Sequence, residues 1–153
     1  MKDQYHFTDG GLRNVWLENG FEVKSTAYGK AVAIEDMDGL VMAICKQLVG
    51  KTGRLTGAEF RYLRQHLGLS QKSLAKSFGN TEQSVAIWEK TSKLPLYADK
   101  HVRVLWTAAH DPKASVSKLV ERLNMVERLI HQRIVLHDTR RGWRVQATEA
   151  ATA

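Results

Sequence analysis

One cysteine, Cys45, stands in the whole 153-residue chain. A single thiol cannot form an internal disulfide, and it cannot build a tetrahedral thiolate zinc site. No run of about 18 apolar residues occurs, so no membrane-spanning helix is expected. The opening stretch, MKDQYHFTDGG, has no apolar signal core, which leads to the expectation of a soluble, cytoplasmic protein. The six histidines lie at 6, 66, 101, 110, 131 and 137, with no HExxH and no acid or cysteine cluster beside them. Gly10-Gly11 and Gly50 to Gly53 lack the Walker spacing of a phosphate loop. No carboxylate pair stands out from the solvated surface. The expectation is therefore no enzyme, no cofactor and no bound metal.

What the chain does have is apolar content for a core and an uneven charge. Hydrophobic residues make up 43%, enough for one compact domain or two small ones. The formal net charge is +7. Residues 1–50 hold 5 Lys/Arg against 7 Asp/Glu; residues 51–112 hold 10 against 5; residues 113–153 hold 8 against 4. The positive excess falls on the middle and the end, the distribution of an electrostatic nucleic-acid footprint. A solvated basic surface would give the same count.

The organising stretch runs from Thr56 to Pro95 and reads as three short helices. Thr56 and Glu59 form a capping box. Phe60, Leu63 and Leu67 then share one face. Gly68 suits the left-handed residue that ends a helix. Ser70 caps a second helix that buries Leu74, Ala75 and Phe78. Gly79 turns the chain, and Thr81 caps a third helix that buries Val85 and Trp88. Two short helices around a glycine-containing turn are the helix-turn-helix pattern.

The run Leu69-Ser70-Gln71, Leu74-Ala75, Gly79, Val85 and Trp88-Glu89 resembles the Xre type of helix-turn-helix, the class of phage lambda repressor and Cro. The resemblance spans 40 of 153 residues without a gap. It implies that the third helix lies in the major groove and that Gln71 bonds a phosphate. It also implies a structural ion pair between Arg64 and Glu89. Glu82, Gln83, Ser84 and Ile87 then become the candidate base readers. A glutamine amide matches adenine N6 and N7, isoleucine suits a thymine methyl, and a carboxylate accepts from the cytosine amine. The phage-type pattern more often has a polar residue where Ile87 stands. Lys72, Thr81, Lys90 and Lys93 join Gln71 as candidate phosphate contacts. A module of this shape can also serve as a protein-interaction adaptor without DNA activity.

Around the module the expected fold is α+β. Tyr5 and Phe7 alternate with polar neighbours. Val15-Trp16-Leu17, Phe21 to Ser25 and Ala31 to Ile34 read as strands of a small antiparallel sheet, with Asn19-Gly20 as the strongest hairpin signal. A helix from Asp38 to Val49, capped by Asp36 or Asp38, carries Leu40, Val41, Ile44, Cys45 and Leu48. Gly50 to Gly53 reads as a linker. Leu96 to Ala109 is a further helix with Val102, Leu105 and Trp106 inward, Tyr97 a candidate to join them, and Lys100 and Arg103 on its surface. Val116, Leu119, Leu123, Val126 and Ile130 form a stripe that is either core or a dimer contact. Ile134 to His137 and Trp143 to Gln146 read as a hairpin that extends the N-terminal sheet. Arg140 and Arg141 at its tip are either solvated or a secondary phosphate contact. The expected division is a sheet-plus-helix region over 1–50 and the helix-turn-helix domain over 51–112. A C-terminal helix and hairpin follow over 113–147 as a candidate dimerisation element, with a frayed tail over 148–153.

Tyr5-His6-Phe7-Thr8, Gly11-Leu12 and Val15-Trp16-Leu17 ahead of the module resemble the C-terminal part of MqsA-type antitoxins. Those proteins carry a zinc domain with paired Cys-x-x-Cys motifs, which is missing here. Together the resemblances imply a DNA-binding transcriptional regulator, a repressor acting as a homodimer on a palindromic operator. The alternative they imply is an antitoxin that binds a toxin partner and autoregulates its operon.

Overall fold

The computed structural model describes residues 3–110 and 132–150. The stripe from Val116 to Ile130 and the last three residues of the expected tail lie outside them. The chain is α+β. In order it runs β1 (Tyr5–His6), β2 (Val15–Leu17), β3 (Phe21–Thr26), β4 (Gly29–Ile34), α1 (Met37–Val49), α2 (Gly57–His66), α3 (Gln71–Phe78), α4 (Glu82–Thr91) and α5 (Leu96–His110), then β5 (Gln132–Thr139) and β6 (Gly142–Ala150). Among the described residues, 3–44 and 132–150 form one compact unit and 45–110 another.

The first unit holds two sheets. One has the order β1-β2-β5-β6, so the C-terminal hairpin extends the N-terminal strands. It is mixed: β2 runs parallel to β5, with Val15, Trp16 and Leu17 opposite Ile134, Val135 and Leu136. Side chains alternate across a strand. Val15, Leu17, Ile134 and Leu136 accordingly share one face, and all four are fully buried with Phe7 and Leu12. Burying each such side chain contributes about 1.5–3 kcal/mol. On the other face His6 stacks on Trp16 at 4.1 Å, and the Arg133 guanidinium lies 4.8 Å from the Trp16 ring. β6 continues to Ala150, opposite Gln132, so 148–150 are strand rather than frayed tail.

Asn19-Gly20 is not the hairpin turn that its sequence suggests. β2 and β3 do not pair; β3 pairs with β4 in a separate two-stranded sheet. The reason is a long-range partner. The Asn19 side chain donates to the Asp138 carbonyl at 3.1 Å and accepts from the Asp138 amide at 2.7 Å. Gly20, at φ +76°, lies where any Cβ would meet the Trp143 ring. The dipeptide is thus a corner between sheets. The real hairpin turns are Thr26-Ala27-Tyr28-Gly29 and Thr139-Arg140-Arg141-Gly142. In each the threonine hydroxyl donates to the glycine carbonyl at 2.6 Å and accepts from the amide between them at 3.3 Å.

α1 starts one residue earlier than expected, at Met37, and Asp36 is its cap: Oδ1 accepts from the Gly39 amide at 3.2 Å. The Trp143 indole donates to the carbonyls of Glu35 and Asp36 at 3.3 and 3.2 Å, which holds that cap against β6.

The second unit is built from local signals that its caps obey. Thr56 and Glu59 make the full capping box on α2. Ser70 and Thr81 cap α3 and α4, and Gly79 ends α3 in the left-handed region at φ +73°. Phe60, Leu63, Leu74, Val85, Val102 and Trp106 are buried between the helices. Phe78 and Leu67 are only half-buried, and Leu105 likewise. Phe78 instead meets the Trp88 ring edge-on at 5.9 Å.

Arg103 corrects the sequence reading. Rather than lying on the surface of α5 it is fully buried. Its Nε lies 2.8 Å from Asp99 Oδ1, one turn earlier. Its other nitrogens donate to the carbonyls of Val49, Lys51 and Gly53. Asp99 Oδ2 in turn accepts from the Leu55 amide at 2.6 Å. The glycine linker before α2 is therefore clamped, because buried carbonyls need donors and a guanidinium supplies several in fixed geometry. Lys51 is buried too, and its ammonium meets Glu59 Oε1 at 2.7 Å.

Candidate nucleic-acid interface

The sequence-derived site residues converge on α3, α4 and the turn that joins them, except Lys93, which lies just past the end of α4. The turn closes through local chemistry: the Asn80 amide donates to the Ala75 carbonyl at 2.9 Å, past left-handed Gly79. α4 is fixed at its other end by α2. Ser92, left-handed at φ +58°, accepts the Gly57 amide on its hydroxyl at 2.7 Å. A Cβ at Gly57 would strike the Glu89 carbonyl, so the close approach requires glycine.

Between these anchors Arg64 and Glu89 form a two-pronged ion pair, with Nε to Oε2 at 2.8 Å and Nη2 to Oε1 at 3.0 Å. Both side chains are nearly buried. Arg64 Nη1 also donates to the Leu69 carbonyl at 2.9 Å, just before α3. Gln71 Nε2 donates to Glu89 Oε1 at 3.2 Å. One carboxylate thereby ties α2, the start of α3 and α4 together.

With Val85 and Trp88 buried, α4 presents its opposite side. Glu82, Gln83, Ile87 and Lys90 are exposed; Ser84 and Ala86 are half-buried. Ile87 is 57% exposed, an apolar side chain with nothing over it among the described residues. Thr81, Lys72 and Lys93 are exposed and Gln71 is half-buried. Two hydroxyls are already engaged: Thr81 Oγ1 accepts from the Ser84 amide at 3.2 Å and lies 3.0 Å from Ser84 Oγ. Ser84 thus contributes to the cap first.

One residue beside the site, Asn80, escaped the sequence reading, and the sequence marks Tyr97 only as a candidate inward residue of α5. The Asn80 side-chain Nδ2 donates to the Tyr97 hydroxyl at 2.7 Å, which links the turn to the start of α5. Tyr97 is 52% exposed although its ring meets Trp88 and Phe78 edge-on. Its place straight after Pro95-Leu96, at a helix start, was the available signal.

The charge of this unit is decided by pairing. Residues 45–110 hold eleven Lys and Arg against four Asp and Glu, net +7. Three of the four acids, Glu59, Glu89 and Asp99, are taken up by Lys51, Arg64 and Arg103. Among the described residues of this unit Glu82 is the one carboxylate left at the surface, against the exposed Lys46, Arg61, Lys72, Lys76, Lys90 and Lys93. Burial pulls His66 and His101 below the ordinary 6.5, toward the neutral form. Burial also pushes the Cys45 thiol up to about 12.

Among the described residues no group of His, Cys, Asp or Glu is placed to hold a metal ion, and no helix is long and apolar enough to cross a membrane. Comparisons with protein-family models, curated proteins and solved structures found no match.

Proposed function

We propose that the chain is a cytoplasmic, sequence-specific DNA-binding regulator, a repressor that acts as a homodimer on a palindromic operator. The observation that carries this reading is the asymmetry of charge in the helical unit. Three of its four described acids are spent on internal pairs, while Lys72, Lys76, Lys90 and Lys93, on or just after α3 and α4, are exposed to water. Phosphate neutralisation by such lysines supplies the sequence-independent part of DNA affinity. The outward row Glu82, Gln83 and Ile87 supplies the groups that read base edges. Gln71 and Lys72 stand at the N-terminus of α3, where the helix dipole and free amides favour a phosphate oxygen.

A dimer follows from the size of the reader. One helix covers only a few base pairs, and two copies about 34 Å apart give the specificity an operator needs. The test is duplex binding as a function of salt. Log affinity should fall linearly with log salt, by about 0.9 for each phosphate contacted. An adaptor without DNA activity would show no duplex binding at low salt. An antitoxin would bind duplex and also co-purify with a toxin.

A further inference from the structure

The β3–β4 hairpin is unlike the rest of the first unit. Nearly every residue in it is exposed, and only Phe21, Val32 and Ile34 are half-buried. Among the described residues neither strand has a second neighbour. A two-stranded hairpin alone is marginal in water; three or more strands with an apolar face are needed for independent stability.

Its two edges differ. β3 carries Glu22 and Lys24 at mid-strand, both well exposed and 3.7 Å apart. Charges of that kind blunt an edge against pairing. β4 carries Lys30 at its start and then Ala31-Val32-Ala33-Ile34, with no charge, proline or bulge.

The ladder fixes which backbone groups of β4 point outward. The Glu35 amide donates to the Gly20 carbonyl at 2.9 Å, so that pair is a hydrogen-bonded one. Hydrogen-bonded pairs alternate along an antiparallel ladder. Residues 29, 31, 33 and 35 therefore face β3, and the N–H and C=O groups of Lys30, Val32 and Ile34 face away from it. An antiparallel neighbour must offer the same alternation.

We propose that the free edge of β4 is a dimerisation edge, and that its occupant is β4 of a second copy. The outward set is self-complementary. A two-fold axis through Val32 sets Val32 opposite its own copy and Lys30 opposite Ile34, with outward groups meeting outward groups. Antiparallel pairing also lays the basic start of one strand, Lys30, beside the acidic end of the other, Glu35 and Asp36. The product is a four-stranded sheet with Phe21, Val23, Val32 and Ile34 on one face. This rests on the dimer named in the proposed function and assigns its surface; the DNA reading stands or falls separately.

Cysteine substitution in the full chain tests the register. Cα atoms of such a pair lie about 5.5 Å apart, within disulfide reach. Under mild oxidation Val32→Cys is expected to form a covalent dimer, while Ala31→Cys and Ala33→Cys, each two residues out of register with its copy, are not. Cys45 is buried and does not compete. A second variant, Val32→Pro, removes only an outward amide and leaves the β3 ladder whole. It should weaken dimerisation at least about tenfold, the effect of roughly one lost hydrogen bond or more. Its melting curve at low concentration and its binding of a single half-site should be unchanged. Equal cross-linking at 31, 32 and 33 overturns the proposal. So does dimerisation that Val32→Pro leaves intact, and so does a wild-type chain that stays monomeric with exchangeable amides at 30, 32 and 34.

Discussion

Gln71 and Glu89 are hydrogen-bonded across the turn at 3.2 Å, on the same carboxylate oxygen that receives Arg64 at 3.0 Å. The side chain that the sequence marks for phosphate is thus aimed by the ion pair that ties the helices. One of its two amide hydrogens goes to Glu89, and the other remains for a ligand.

Glu89→Ala should therefore act on stability first. It leaves the Arg64 guanidinium nearly buried and without its carboxylate. Removing one member of a buried pair costs about 3–5 kcal/mol. Denaturant unfolding measures it, and a loss under about 1 kcal/mol would show that the pair does not hold the helices.

Arg103→Met should be comparably damaging, for a different reason. The buried carbonyls of Val49, Lys51 and Gly53 would lose the Arg103 donor together, and the buried Asp99 carboxylate would lose its counter-charge. Unsatisfied buried groups cost about 1–3 kcal/mol each. A melting temperature within a degree of the parent would place Arg103 on the surface after all.

The Cys45 thiol, pushed up to about 12 by burial, makes a pH prediction. Its folded value lies above the ordinary 9.0, so the folded state holds the proton more tightly than the unfolded state. The associated stability is fully present below pH 9.0 and is lost as pH rises toward about 12. Cys45→Ala should remove that part of the alkaline decline, as paired unfolding curves would show. In the native protein the thiol should also resist alkylation at pH 8 until the chain unfolds; prompt labelling contradicts its burial.

The helical unit was legible because its signals are local. Thr56 with Glu59, Ser70, Gly79 and Thr81 each act within four residues, and each sits where the spacing puts it. The misreadings share one cause, a partner far along the chain. Asn19-Gly20 has turn chemistry, but Asp138 and Trp143 claim it from more than a hundred residues away. Arg103 looks like a surface charge on α5 until the carbonyls before α2 are brought to it. The parallel pairing of Val15–Leu17 with Ile134–Leu136 leaves only two apolar runs in the sequence and no sign that they meet. In the candidate site, exposure of Gln83 and Ile87 followed from the helical period. The contact between the Ser84 and Thr81 hydroxyls did not.

Lys90 is exposed near the end of α4, and the proposed DNA-binding role makes it a phosphate contact. Lys90→Ala should weaken binding to all duplexes alike and reduce the salt slope by about one unit. A variant that loses only its preferred site, with the slope unchanged, contradicts that role.

The central claim is that the outward face of α4 reads DNA, and Gln83 is its exposed amide. The direct measurement selects duplexes from a randomised pool, then compares wild type and Gln83→Ala against all four bases at each enriched position. The expected result is a loss of about 1–3 kcal/mol at one base pair, with relaxed choice there and unchanged non-specific affinity. No enriched sequence, or a Gln83→Ala variant with the parent's full preference, would contradict it.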